Sequence, residues 1–359
     1  MSKKLKITDR EWREFSVVGL FDLIERGRRI TQQHRVYGFT PLVTAGESLN
    51  GISSFINNQE QRTFKRGITL DMFANTFYQN YPFKCDDNIT VLLLAEKSAY
   101  VHLFLVVMLT RLKEKYSYAK QVRPHRLKRE YIMLPIQADG TPDWAFMEAY
   151  MKQVEEEHLS EVLPKLEAQL LQHIITLGAL EDREWKEFTL TDFFSPIKGN
   201  QNNMSSLIEG EFPLISAKKW SNGVKAFVSP NNKGLFPQHC ITLNLDGDGG
   251  AGLAYYQGYS FALDSHVAAL YPKLLLDRFS LLFIARSISA QRFRFGHGRA
   301  INKSRLNHFL ITLPIQPDGT PDWDFMSDFM KKVEQNTLSE ALRYFKPKKY
   351  KRMLTGGVK

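Results

Sequence analysis

Two stretches of this sequence interleave cations with aromatic residues and glycine. The first runs Lys115-Tyr116-Ser117-Tyr118-Ala119-Lys120-Gln121-Val122-Arg123-Pro124-His125-Arg126-Leu127-Lys128-Arg129. The second runs Arg292-Phe293-Arg294-Phe295-Gly296-His297-Gly298-Arg299-Ala300-Ile301-Asn302-Lys303-Ser304-Arg305. Cations at this density suit contact with phosphate, glycine lets a backbone come close, and arginine or lysine can read guanine in the major groove. The candidate contacts are Tyr118, Lys120, Arg123 and Arg126 in the first loop, and Arg294, His297, Arg299, Lys303 and Arg305 in the second. A single loop of this kind reads as a solvated charged turn; the same chemistry at the same place twice favours phosphate. Earlier turn-placed polar residues join them: Ser48 and Asn50, then Lys218, Lys219, Trp220 and Asn222, with Arg62, Lys65 and Arg66 adding positive charge. The tail Lys346 to Arg352 reads as a disordered, solvated end, with phosphate contact the less favoured alternative.

Residues that would do covalent chemistry are not arranged to do it. There is no G-x-x-x-x-G-K-[ST] phosphate loop, no G-x-G-x-x-G, no G-x-S-x-G elbow, no H-E-x-x-H and no Asn/Asp-Pro-Pro-Tyr/Phe run. The one acidic-x-Lys group, Glu184-Trp185-Lys186, has the counterpart Glu11-Trp12-Arg13, which favours a structural role at a domain's opening strand. The nine histidines lack ligand spacing. Asp246-Gly247-Asp248-Gly249-Gly250 starts like a calcium loop but lacks the closing acid and reads as a turn. No catalytic residue and no metal ligand is assigned.

The elements that must position the basic loops come from an internal repeat. Leu134 to Met147 and Leu313 to Met326 agree at twelve of fourteen positions. Asp9-Arg10-Glu11-Trp12 recurs as Asp182-Arg183-Glu184-Trp185, Pro41 to Ala45 answers Pro213 to Ala217, Asn50-Gly51 answers Asn222-Gly223, and Tyr78-Gln79 answers Tyr256-Gln257. A unit of about 175 residues is written twice, far too long a period for a solenoid, so each copy is a domain. In each copy, short β-type runs come first: Phe15 to Leu20, Ile68 to Phe73 and Thr90 to Leu94, then Ile241 to Leu245 and Ser260 to Leu263. They predict twisted antiparallel sheet. Helices are expected over Tyr100 to Lys115 and Leu274 to Arg294, and a strand over Ile132 to Ile136 and Leu310 to Ile315. The class is α+β. Thr141-Pro142-Asp143 and Thr320-Pro321-Asp322 open a closing helix with Thr as N-cap and Pro at the first helical position. Met147, Tyr150, Val154, Leu166, Leu170 and Ile174 form its apolar stripe, as do Met326, Phe329, Val333, Leu338 and Leu342 in the second copy. The first helix, extending to about Leu177, is longer than one domain needs, which favours two helices pairing antiparallel as a spacer over each packing on its own domain.

The chain of 359 residues carries a net charge of +10, which is compatible with a polyanionic partner. Two cysteines build no disulfide framework or zinc site, the longest apolar stretch is half a membrane span, and the start has no secretory leader. A cytoplasmic protein without a membrane partner is expected.

The order F-x-Y-G-R, a spacer, R-L, then I-x-L-P-I and D-G-x-P-D-W/F, carried by Phe295 to Arg299, Arg305-Leu306, Ile311 to Ile315 and Asp318 to Trp323, resembles the specificity subunits of restriction-modification systems. The closest flavour is the type IIB, BcgI-like class, with type I specificity subunits as near relatives. In copy one, Tyr118-Ala119-Lys120 stands where the Gly-Arg element would be, and Asp71 to Asn75 replaces the Gly-rich Asn244 to Gly250 loop, as fits domains that read different half-sites. The resemblance implies target recognition domains over 1–140 and 180–319, spacer helices over 141–179 and 320–346, and a basic tail over 347–359, with pseudo-two-fold symmetry. It implies double-stranded DNA and methyltransferase or fused methyltransferase-nuclease subunits as partners. It further implies no cofactor on this chain, with S-adenosylmethionine and Mg²⁺ on the partners. Two other readings stand beside it: an anti-restriction decoy that captures methyltransferase subunits without reading DNA, against which the positive charge argues, and a stand-alone nuclease using unrecognised carboxylates.

Overall fold

The structure is a computed structural model that describes residues 4–171, 180–201, 207–229, 234–247, 250–296 and 298–355. The chain divides into two compact units, Met1–Val162 and Leu163–Lys359. Unit one comprises β1 (Trp12–Ser16), α1 (Val17–Leu20), β2 (Leu23–Arg26), β3 (Tyr37–Val43), β4 (Ile52–Ile56), β5 (Gly67–Asp71), β6 (Thr76–Gln79), β7 (Lys84–Cys85), β8 (Ile89–Leu93), α2 (Ala99–Thr110), α3 (Pro124–Leu127), β9 (Tyr131–Pro135) and most of α4 (Trp144–Leu171). Unit two repeats the order as β10 (Trp185–Thr189), α5 (Leu190–Phe193), β11 (Phe194–Lys198), β12 (Glu209–Ile215), β13 (Val224–Val228), β14 (Cys240–Asn244), β15 (Ala254–Gln257), β16 (Ala262–Leu263), β17 (Val267–Pro272), α6 (Arg278–Ala290), α7 (Lys303–Asn307), β18 (Leu310–Pro314) and α8 (Trp323–Thr355).

The sheets repeat as well. β1 pairs with β9 and β10 with β18; β2-β8-β5-β6 has its counterpart in β11-β17-β14-β15, and β4-β3-β7 in β13-β12-β16. Every residue of β5 and β14 is buried, and the polar ones are Thr69 and the terminal Asp71 in β5, Thr242 and the terminal Asn244 in β14. In unit one, Val101, Phe104, Leu105, Met108 and Leu109 of α2 close the core over Ile68, Leu70 and Leu92. In unit two, Leu281, Ile284 and Ile288 of α6 do the same over Ile241, Leu243 and Leu270.

Several expectations need correction. The apolar run Phe15 to Leu20 is not one strand: it ends at Ser16, and Val17–Leu20 turn as a helix whose first amide, Val17 N, donates to Glu130 O at 2.9 Å. The sheets are not wholly antiparallel, because β3 runs parallel to β7 and β12 to β16. The helix expected from Leu274 begins at Arg278, where Asp277 Oδ1 accepts from Ser280 N at 2.8 Å and sets the start. Neither Thr141 nor Thr320 is an N-cap. Their hydroxyls donate to Asp139 and Asp318 at 2.7 and 2.6 Å, closing the preceding turn. The caps are Asp143, whose Oδ1 accepts from Phe146 N at 2.9 Å, and Asp322, which accepts from Phe325 N at 3.0 Å. The other oxygen of each pairs with the arginine of the repeated Asp-Arg-Glu-Trp motif, Arg10 at 2.8 Å and Arg183 at 3.4 Å.

The long helices are partly anchored in their own domains. Met147 and Met326, expected on a face offered to a partner, are fully buried in their own cores, because β9 and β18 deliver the first helical turn against α2 and α6. Tyr150 and Phe329 pack against the same cores, Val154, Leu166 and Leu170 are half-buried, and Val333 is exposed. From Leu163 onward α4 belongs to unit two. There Gln169 Nε2 donates to Glu334 Oε1 at 2.9 Å and Lys346 pairs with Glu167 at 3.0 Å, while Leu338 and Leu342 are buried. Ile174 and Leu177 lie outside the described residues. The segment expected as a disordered tail is helical as far as Thr355, since lysine, arginine, methionine and leucine after Pro347 all favour helix.

The caps make a stability prediction. Asp143→Ala and Asp322→Ala should each cost about 1–2 kcal/mol, the range for losing an N-cap. Thr141→Ala and Thr320→Ala should cost less than half of that. Urea denaturation of the four variants checks the order; a larger loss for the threonine variants would reverse the cap assignment.

Candidate nucleic-acid interface

The early loop of each unit makes a left-handed turn. Leu49, Asn50 and Gly51 have φ of 52°, 54° and 74°, and Ser221, Asn222 and Gly223 have φ of 58°, 54° and 78°. Asparagine tolerates this conformation and glycine is suited to it, whereas leucine and serine are strained there. A Cβ on Gly51 or Gly223 would also press on the side chain of Val43 or Ile215 at 3.1 Å. Gln79 holds the first turn: its buried Nε2 donates to Asn50 O at 2.8 Å and to Thr69 Oγ1 at 3.1 Å. Gln257 repeats the arrangement with Asn222 O at 3.2 Å and Thr242 Oγ1 at 2.9 Å. Sequence reasoning did not single out these four side chains, although both pairs lie in the repeated blocks.

Three loops meet in each unit at the last residue of the central strand. In unit one this is Asp71. Its buried carboxylate accepts from Phe73 N at 2.8 Å, Asn75 N at 2.9 Å, Asn75 Nδ2 at 2.8 Å and, from the early loop, Gly46 N at 3.1 Å. In unit two it is Asn244, whose Nδ2 donates to Lys218 O at 3.3 Å and Gly250 O at 3.2 Å. The basic loop joins at the next residue: Val122 N donates to Met72 O at 2.8 Å, and Ile301 N to Leu245 O at 2.6 Å. Asp246 is held by His266 at 2.9 Å, and that contact raises the histidine's pKa above the ordinary imidazole value.

The roots of the basic loops use matched positions with different chemistry. Tyr116 donates to Glu130 Oε1 at 2.9 Å, and Lys115 pairs with Glu130 Oε2 at 3.0 Å. Burial, together with the bond to Glu130, pushes the Tyr116 hydroxyl well above the usual phenol range. In unit two the same two places hold Phe295 and Phe309, stacked 5.4 Å apart. The arginines of the repeated Arg-Leu pair brace the loops, Arg126 Nη1 donating to Gln121 O at 2.8 Å and Arg305 Nη1 to Ala300 O at 2.6 Å.

The other expected contact residues fall into three groups. Tyr118, Arg299 and Lys303 are exposed, and the side chains of Arg299 and Lys303 make no hydrogen bond or ion pair among the described residues. A second group is partly engaged within its own loop. Lys120 lies 5.6 Å from the Tyr116 ring and Lys219 4.8 Å from that of Trp220. Arg123 donates to Gln121 Oε1 and Arg294 to Gln291 Oε1. The carbonyl of Lys218 is tied down by Asn244, and Asn222 Nδ2 turns back to Tyr256 O at 3.0 Å. Ser48 precedes the left-handed turn, and the Asn50 side chain is exposed on it. A third group is not brought to the three-loop cluster. Arg62 is taken up by Glu25 and the Phe64 ring, and Arg66 donates to Ala95 O, so with Lys65 they stand at the start of β5, the end away from Asp71. His297 lies outside the described residues.

Residues 9–165 and 182–343 each match the family model of the type I restriction modification DNA specificity domain. The chain belongs to that family, twice over. It is a specificity subunit of a restriction-modification system with two target recognition domains in tandem on an α+β frame. It is 25% identical over 338 residues to the Type II restriction enzyme BgcI specificity subunit S.BcgI of Heyndrickxia coagulans, over 91% of this chain and 96% of that one. Among solved structures, the type I restriction-modification S subunit from M. genitalium aligns at 15% identity over 99% of this chain and 96% of that one, with a TM-score of 0.41. The HsdS subunit from Thermoanaerobacter tengcongensis aligns at 16% identity over 93% and 91%, with a TM-score of 0.33. Among the described residues, no helix of this specificity subunit is long and apolar enough to cross a membrane, and no cluster of three His, Cys, Asp or Glu side chains forms a metal site.

The glutamine brace gives the second prediction. Gln79→Leu leaves the Asn50 carbonyl and Thr69 hydroxyl without their donor and should cost about 1–3 kcal/mol. Denaturation of this variant, and of Gln257→Leu, checks it; a loss below 0.5 kcal/mol, on the order of a surface substitution, would remove the brace from the account.

Proposed function

We propose that this specificity subunit reads a bipartite double-stranded DNA sequence, one half-site with each domain, and carries methyltransferase or fused methyltransferase-nuclease subunits to it. The observation behind this reading is the recurrence of one three-loop cluster, with exposed cations, at the end of the central strand in both units. Direct base reading needs side chains held on a rigid frame, and the buried Asp71, Asn244, Gln79 and Gln257 supply it. Arg299, Lys303 and, in the first unit, the exposed Lys128 and Arg129 are the cations best placed for phosphate. Arg126 and Arg305 act through loop geometry.

In this reading the gap between half-sites is fixed by α4 and α8. Their 28 and 33 residues correspond to about 42 and 50 Å, longer than one turn of B-DNA. The domain limits proposed are 1–140 and 180–319, with 141–179 and 320–346 as spacers. Methylation of a base inside a duplex requires that the base be flipped out of the stack. That chemistry, with S-adenosylmethionine and Mg²⁺, is assigned to the partner subunits, and this chain contributes the address.

The test is methylation mapping of cells expressing the methyltransferase subunit with and without this chain. Methylation at a split sequence only when the chain is present supports the reading; methylation that is independent of the chain contradicts it. At finer grain, Arg299→Ala combined with Lys303→Ala should weaken DNA binding by the assembled complex and lower the salt slope by about one per lost phosphate contact. Unchanged binding across a salt titration would remove these two residues from the interface.

A further inference from the structure

The left-handed turn of the first domain holds a residue that its backbone does not call for. Leu49 has φ of 52°, which is costly for a bulky side chain, and it is 58% exposed, so packing within the chain returns little. The second domain closes the same turn without leucine. Gly51 N donates to Ser48 O at 2.9 Å and Thr44 N to Gly51 O at 2.8 Å. At the matched places Gly223 N donates to Trp220 O at 3.2 Å and Ser216 N to Gly223 O at 2.9 Å, with Ser221 where Leu49 stands. Serine therefore serves this turn, and asparagine or glycine would serve it with less strain. Leucine brings a strained backbone and an apolar side chain partly in water, kept in place by the buried Gln79 through Asn50 O. Such an outlier on a rigid surround marks a place where a side chain is held for a ligand.

The position of the loop points to that ligand. Leu49 lies between Ser48 and Asn50, and Gly46 N of the same loop donates to the Asp71 carboxylate at 3.1 Å. One residue further on, the basic loop joins through Val122 N and Met72 O at 2.8 Å, so the early loop and the basic loop leave the sheet at one place. Base edges in the major groove offer hydrogen-bond donors and acceptors and one apolar group, the C5-methyl of thymine. Ser48 and Asn50 have the chemistry for the donors and acceptors. Leu49 has none of it, and its side chain matches the methyl. A side chain fixed by its own backbone also gives up little freedom on contact, as direct reading of a base requires.

We propose that Leu49 contacts the C5-methyl group of one thymine in the half-site read by the first domain, and so selects that base. The proposal rests on the reading of this chain as the DNA-reading subunit and assigns one position of its target. Ser221, at the matched place, has no apolar side chain for the same contact.

The experiment uses the full chain assembled with its methyltransferase subunit. Binding is measured on duplexes of the mapped split sequence in which each thymine in turn is replaced by uracil, which removes only the C5-methyl. Wild type should lose about threefold or more in affinity at one thymine, as for one methyl group taken out of apolar contact. Leu49→Gly and Leu49→Asn should bind thymine and uracil alike at that place, and methylation mapping of these variants should show other bases accepted there. Their urea midpoints should be no lower than that of wild type, because the turn sheds strain. A first half-site without thymine, wild-type binding indifferent to uracil throughout, or variants that still distinguish the two bases would overturn the contact and leave the split-site reading intact. A lower midpoint in both variants would make the leucine part of the fold instead. Loss of methyltransferase assembly with base selection unchanged would make it a protein contact, and either result overturns the proposal. Methylation by the wild-type complex at no split sequence would sink both readings.

Discussion

In each domain a buried glutamine amide holds three left-handed residues in a row, and the early loop depends on it. Positive φ costs a non-glycine residue about 1–2 kcal/mol, so a turn containing Leu49 and Asn50, or Ser221 and Asn222, does not persist alone. Gln79 and Gln257 offset that cost by giving the turn's carbonyl a donor from a buried side chain, with a threonine of the central strand holding the amide in place. Loops that are to read a sequence must be displayed without wandering, and here the display is built from inside the sheet.

The two domains share backbone contacts and differ in the side chains around them. The amide of Val122 or Ile301 meets the carbonyl after the central strand in both. Around that shared bond, a hydroxyl–carboxylate contact in one domain is a pair of stacked rings in the other, and a buried aspartate is an asparagine. Where the first domain pairs Glu47 with Lys113, the repeat places Lys219 and Arg292 in the second. Such divergence on a fixed frame is what two domains require if they are to read different half-sites.

Much of this was legible from one sequence because the chain carries its own comparison. The repeated Leu-Pro-Ile strand and the Asp-Gly-Thr-Pro-Asp-Trp turn marked two domains and placed both basic loops. What misled were short-range ambiguities. Thr141 and Asp143 are both cap-forming residues two positions apart, and only the hydrogen bonds show which one holds the helix. Val17 and Val18 favour strands by type, yet a bond from Val17 to Glu130, far along the chain, turns them. A two-residue strand such as Lys84–Cys85, pairing in parallel with β3, has no periodicity to detect. Charge located the basic loops but could not say which arginines were occupied. Arg126 and Arg305 look like contacts in the sequence, and in the structure Nη1 of each donates to a carbonyl of its own loop.

The central claim is that each domain reads its own half of a split sequence. The most direct measurement is to replace residues 180–319 with the corresponding domain of another member of the family and to map the methylated sequence of the resulting complex. The account predicts that one half-site changes while the other half-site and the gap between them stay the same. A change in both halves, or in neither, would contradict it.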